Sequence, residues 1–118
     1  MIEDGRPIFE QVAELIERQI LDGSLAEEAQ APSTNELAAF HHINPATAAK
    51  GLSALVADQI LYKKRGIGMF VSTGAREKLL SRRRDEFRRQ YVEPLLAQAK
   101  RLGFDEEHLV VMIREGRS

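Results

Sequence analysis

Cysteine and tryptophan are both missing from the 118 residues, and only 6% are aromatic. Without cysteine there is no disulfide scaffold, no thiolate metal site and no cysteine nucleophile. No long hydrophobic run occurs either. The longest, Leu109-Val110-Val111-Met112-Ile113, is far below the ~20 residues that span a bilayer. The opening Met1-Ile2-Glu3-Asp4 is acidic and has no apolar stretch, so no secretory signal is expected and the protein is read as soluble and cytoplasmic, without a membrane partner. An excess of one charge is also lacking: 17 Lys+Arg face 18 Asp+Glu, for a formal net charge of −1. What is present is 43% apolar residues, enough for a small domain to build a core without staples.

The neutral total conceals an asymmetry. Residues 1–71 carry six basic side chains against ten acids, so 6 − 10 = −4, and residues 72–118 carry eleven against eight, so 11 − 8 = +3. Within the first part, however, Asp58 is the only acid between Asn44 and Val71, where Lys50, Lys63, Lys64 and Arg65 all lie. Local placement rather than bulk charge carries the functional reading.

Ile8, Phe9, Val12, Leu15, Ile16 and Ile20 recur at helical steps, with Asp22-Gly23-Ser24 as a stop. Residues 24–32 read as a loop. Ser33-Thr34-Asn35-Glu36 is a capping box that opens a short helix to about Phe40, with Leu37 and Ala38 inward. After a turn at His41-His42-Ile43, Asn44 caps and Pro45 begins a third helix reaching about Asp58. Two β-prone runs around Arg65-Gly66-Ile67-Gly68 predict a hairpin. Ser72-Thr73-Gly74 marks the expected boundary between a domain at 1–73 and a two-helix segment at 74–118. In that segment Leu80, Phe87, Tyr91 and Leu95 form a stripe with Leu102 beside it. Pro94 is expected to kink or end the long helix, and Asp105 to cap a last short one. The fold class is mainly α with a small β-hairpin: a winged helix-turn-helix plus a C-terminal helical segment.

Two short helices joined by a tight turn, with small Ala38 at their crossing, describe a helix-turn-helix. The third helix is then the recognition helix. Asn44, Ala46, Thr47 and Lys50 fall on its outward face, and Thr47 and Lys50 stand one turn apart, placed to read a major groove. The hairpin is the wing. Lys63 and Lys64 lead to Arg65 at its tip, where Gly66 lets the backbone approach a sugar-phosphate ridge and arginine suits the minor groove.

Pro7-Ile8-Phe9-Glu10-Gln11-Val12, Ala31-Pro32-Ser33, Glu36-Leu37-Ala38, Asn44-Pro45, Thr47, Leu61-Tyr62-Lys63-Lys64-Arg65-Gly66, Gly68 and Phe70-Val71 follow one another in register. The ordered set resembles the N-terminal winged helix-turn-helix of GntR-family transcriptional regulators, and the short tail resembles the YtrA-like subfamily. That resemblance implies a homodimer on a palindromic DNA operator, acting as a repressor, with the tail as dimerisation element. It also implies DNA contacts from Ser33, Asn35, Asn44, Thr47, Lys50, Lys63, Lys64, Arg65 and Gly66, and dimer contacts from Leu80, Phe87, Tyr91, Leu95 and Leu102. The chain departs from the family pattern at Asn35, where arginine is usual, at Ala46, where a polar residue is frequent, at His42 in place of a glycine, and at Gly51 in place of alanine.

Other features carry less. Arg82-Arg83-Arg84 with Arg88-Arg89 reads as a solvated helix face rather than a second nucleic-acid patch. His41, His42 and His108 lack metal-ligand spacing, so no metal or other cofactor is expected. Gly66-Ile67-Gly68 precedes a strand and is no dinucleotide loop. No nucleophile–base pair stands out, so no enzyme is expected. An unidentified small-molecule effector is compatible with a regulator. The competing class is a winged helix that binds protein partners and not DNA, favoured by the acidity of residues 1–71 and opposed by the basic wing.

Overall fold

The computed structural model describes residues 5–116. Helix α1 spans Ile8–Asp22 and buries Val12, Ile16 and Ile20 along one stripe, with Gly23 closing it in the left-handed conformation at φ 86°. Helix α2, Thr34–His41, starts at the expected capping box: Ser33 Oγ accepts from Glu36 N–H at 3.1 Å, and Ser33 N–H donates to Glu36 Oε1 at 2.9 Å. His42 closes it at φ 55°, so a histidine takes the left-handed turn position. Helix α3, Pro45–Ala57, begins at Asn44, whose Oδ1 accepts from Ala46 N–H at 2.8 Å. Strands β1, Leu61–Lys64, and β2, Gly68–Val71, pair antiparallel from Leu61↔Val71 to Lys64↔Gly68.

The expected loop over 24–32 does more than connect. Gln30 bridges Phe70, and Ala31 N–H donates to Met69 O at 2.8 Å, so this stretch lies along the free edge of β2 as a third, minimal strand. Gln30 Nε2 also donates to Ile67 O at 3.1 Å, which ties the loop to the hairpin turn.

Helix α4, Ala75–Phe87, follows the hairpin, and its Ala75 and Leu79 are buried with Ile60, Leu61 and Val71. The first compact unit therefore ends at Leu80 and the second starts at Ser81, later than the break expected at residues 72–74. Those two apolar residues are the reason: they belong to the core of the winged helix.

The second unit holds the end of α4, a π-helical turn at Arg88–Val92, then α5, Glu93–Leu102, and α6, Glu106–Glu115. Pro94 neither stops the helix nor is simply tolerated. Its ring crowds the carbonyl of the residue four positions earlier and it offers no N–H. The chain accommodates this by widening the preceding turn, with Glu93 N–H bonded back to Arg88 O, five residues away. Asp105 caps α6 through His108 N–H at 2.8 Å, as its position before the helix suggests. Only Ala99 and Leu109 are buried in this unit among the described residues.

Candidate nucleic-acid interface

Packing of α1 against α3 orients the third helix. Ala48, Gly51, Leu52 and Leu55 face inward, which leaves Ala46, Ala49, Lys50, Ser53 and Ala57 as the outward stripe. Gly51 makes the approach close: a Cβ there would stand 2.9 Å from Phe9 O and 3.0 Å from Val12 Cγ1. A sequence reading sees only the helix-propensity cost of this glycine. The structure shows what it permits.

Thr47, expected on the outward face, is half-buried. Lys50 is exposed, yet its Nζ rests 4.2 Å from the centroid of the Phe9 ring, a cation–π contact that draws the ammonium toward α1. Asn44 is exposed, with its carbonyl oxygen committed to the cap and its amide nitrogen still able to donate.

Ser33, Asn35 and Lys63 are brought together. With Pro32, Leu52, Ile67 and Gly68 they line one cleft between the start of α2, the flank of α3 and the hairpin. The alternation of β1 sends Lys64 to the other face. There it lies 4.3 Å over the Phe70 ring, beside Tyr62, which stacks on Phe70 at 6.0 Å. Lys64 is thus separated from Lys63 although the two are neighbours in sequence. Arg65 is exposed at the hairpin turn, and Gly66 beside it sits at φ 78°, a conformation that favours glycine.

Behind the wing lies a polar network that local sequence patterns do not signal. Glu28 accepts from Thr73 Oγ1 at 2.6 Å and from the Tyr62 hydroxyl. Those two hydrogen bonds, Thr73 first, hold the Glu28 carboxyl below its ordinary pKa, and the same carboxylate raises the Tyr62 phenol. Next to it, Arg76 N–H donates to Glu27 Oε2 at 3.1 Å and Arg76 Nε to Leu21 O at 3.1 Å. Loop, wing and the first turn of α4 are therefore stapled together. Glu27–Glu28 flanked by small residues is too common a pattern to have announced it.

The remaining expected residues lie farther along. Leu80 is half-buried at the end of the first unit, whereas in the second Phe87, Tyr91, Leu95 and Leu102 are 58%, 57%, 43% and 68% exposed. Phe87 and Tyr91 touch with ring centroids 5.3 Å apart. Val110, Val111, Met112 and Ile113 of α6 are exposed as well. Among the described residues no group of three His, Asp or Glu side chains could hold a metal ion, and no helix is long and apolar enough to cross a membrane.

A short helix pair, a third helix with an open outward stripe and a glycine-tipped basic hairpin make a winged helix-turn-helix, and residues 8–71 match the family model described as bacterial regulatory proteins, gntR family. The chain belongs to the gntR family. Its relatives are DNA-binding transcriptional regulators rather than enzymes, and it is a DNA-binding regulator of that kind. The transcriptional repressor NagR of Bacillus subtilis is 36% identical over 63% of this chain, which spans only 30% of NagR. The repressor YtrA of the same organism is 28% identical, with 92% of this chain and 83% of YtrA covered. Among solved structures, a GntR-family transcriptional regulator from Bacteroides thetaiotaomicron is 32% identical at TM-score 0.75, covering 92% of this chain and 94% of that one. The DNA-binding domain of AraR, solved in complex with operator ORR3, is 30% identical at TM-score 0.56 over 61% of this chain and 87% of that one.

Proposed function

We propose that this gntR-family chain is a cytoplasmic repressor that binds a palindromic operator as a homodimer. Within the winged helix the labour divides by chemistry. Ser33, Asn35 and Lys63, gathered in one cleft, hold phosphates and set the register. The N-terminal half of α3 enters the major groove with Asn44, Thr47 and Lys50, and Arg65 beside Gly66 reaches for the minor groove from the hairpin turn. Lys64, on the opposite face of β1, supplies charge at longer range.

The observation that carries this reading is the convergence of Ser33, Asn35 and Lys63 on one cleft flanked by α3 and the hairpin. Residues far apart in sequence meet there with hydroxyl, amide and ammonium donors, the donor set a phosphate backbone needs.

For pairing, the second unit is the element proposed, in place of the 74–118 segment read from sequence. It leaves Phe87, Tyr91, Leu95 and Leu102 largely exposed while burying two apolar residues among those described. A helical segment of this size gains more by burying that surface against a second copy than by leaving it in water. Retarded migration of DNA from the gene's own upstream region, abolished by competitor of the same sequence and not by unrelated DNA, tests the DNA-binding part. Sedimentation at micromolar concentration tests the dimer, with about twice 13.3 kDa expected. A winged helix that serves only protein partners would shift no DNA.

A further inference from the structure

The outward stripe of α3 holds few groups able to read bases by hydrogen bonds. Ala46, Ala49, Lys50, Ser53 and Ala57 make it up. Its one long side chain, Lys50, has its ammonium 4.2 Å over the Phe9 ring, off the stripe and toward α1. What the first two turns mainly offer a groove is methyl groups: Ala46 exposed, Ala49 half-buried, and the γ-methyl of half-buried Thr47 alongside. Such short side chains also let the helix backbone sit deep.

In the major groove, one base presents an apolar group of its own, the C5-methyl of thymine, and alanine and threonine methyls are its natural partners. The N-terminal residues of a recognition helix are those that meet base edges. We propose that the half-site read by this helix is thymine-rich, and that Ala46 and Ala49 recognise it through thymine methyl groups, beside the hydrogen-bonding groups of Asn44 and Thr47. The proposal rests on the DNA-binding reading above and adds the chemistry of the bases recognised. Lys50 then supplies charge near the α1 edge of the groove and leaves the centre of the stripe to methyl contact.

The test uses the full chain and synthetic, unmethylated DNA, in which every pyrimidine C5-methyl belongs to thymine. Sites are first enriched from a random duplex pool. Each thymine of the enriched site is then replaced singly by deoxyuridine, which removes the methyl and keeps the pairing. At one or two symmetric thymine pairs, affinity should fall about fourfold for each methyl lost, the amount expected for one buried carbon. In Ala46→Gly or Ala49→Gly, whichever partners that base, the same replacement should cost nothing further, because the contact has already gone. Two glycine variants on different turns guard against one of them being poorly folded. Deoxyuridine that is neutral at every position would overturn the proposal, as would an undiminished deoxyuridine effect in both variants. Failure of the wild-type chain to enrich any sequence would instead remove the DNA-binding reading, and this inference with it.

Discussion

Replacing Gly51 by alanine sets two effects of opposite sign against each other. In mid-helix the change gains about 1 kcal/mol of helix propensity. The new Cβ, however, would stand 2.9 Å from the Phe9 carbonyl oxygen and 3.0 and 3.1 Å from Cγ1 and Cβ of Val12. The first neighbour is α1 backbone and the second is a fully buried side chain at 0% exposure, so neither yields without moving the helix. Overpacking of a tight contact costs roughly 1–3 kcal/mol, and a backbone neighbour places this case in the upper half of that range. The net expectation for Gly51→Ala is a loss of about 1–2 kcal/mol, a fall of roughly 4–16 °C in Tm for a unit of this size. Far-UV circular dichroism melts at one fixed protein concentration measure it, since any dimer would make Tm concentration-dependent. A variant as stable as the wild type, or more so, would mean that propensity wins and that α1 and α3 are not held at the separation described.

Other expectations follow from single contacts. Gln59 is exposed at φ 63°, so Gln59→Gly should relieve roughly 1 kcal/mol of left-handed backbone strain, read as a higher urea midpoint. Glu28 has its carboxyl pKa lowered by Thr73 and Tyr62, so its contribution to stability is present above the ordinary carboxylate value of 4.5 and is lost as pH falls through the lower folded value. Glu28→Gln should therefore lie below the wild type in stability at pH 7, with the gap closing under acid conditions, and a gap independent of pH would contradict the network. Tyr91→Asp combined with Leu95→Asp should give monomers by sedimentation and leave the fold of the winged-helix unit unchanged by circular dichroism.

Local chemistry was the legible part of this chain. The Ser33–Glu36 box, the Asn44-Pro45 start, the Gly23 stop and the hairpin around Gly66 are each written within a few residues, and each element stands where those signals place it. What escaped depends on partners distant in sequence. Gln30 pairs with Phe70 only because the loop runs along the open edge of β2. Lys50 is equally outward on a helical wheel whether or not Phe9 stands beside it, and no pattern in α3 alone reports that ring. Ala75 and Leu79 sit in a helix rich in charge, so their burial in the first unit, which moves its limit to Leu80, is invisible to periodicity. The π turn is an intermediate case: Pro94 announces a disturbance, and only the backbone shows that a widened turn absorbs it. At the candidate interface the residue types were legible, whereas the grouping of Lys63 with Ser33 and Asn35, away from Lys64, required the alternation of β1 to be seen in place.

In the reading proposed above, the cleft at Ser33, Asn35 and Lys63 grips phosphate while the hairpin tip reads the minor groove. Salt-dependent affinity for an enriched operator, measured for the wild type, Lys63→Ala and Arg65→Ala, separates these two roles. Lys63→Ala should weaken binding to specific and random DNA alike and lower the slope of log K against log salt by about 1. Arg65→Ala should cost roughly 1–3 kcal/mol on the operator and much less on random DNA. Unchanged affinity and unchanged slope in both variants would rule out both roles, because DNA would then be held by some other face of the molecule.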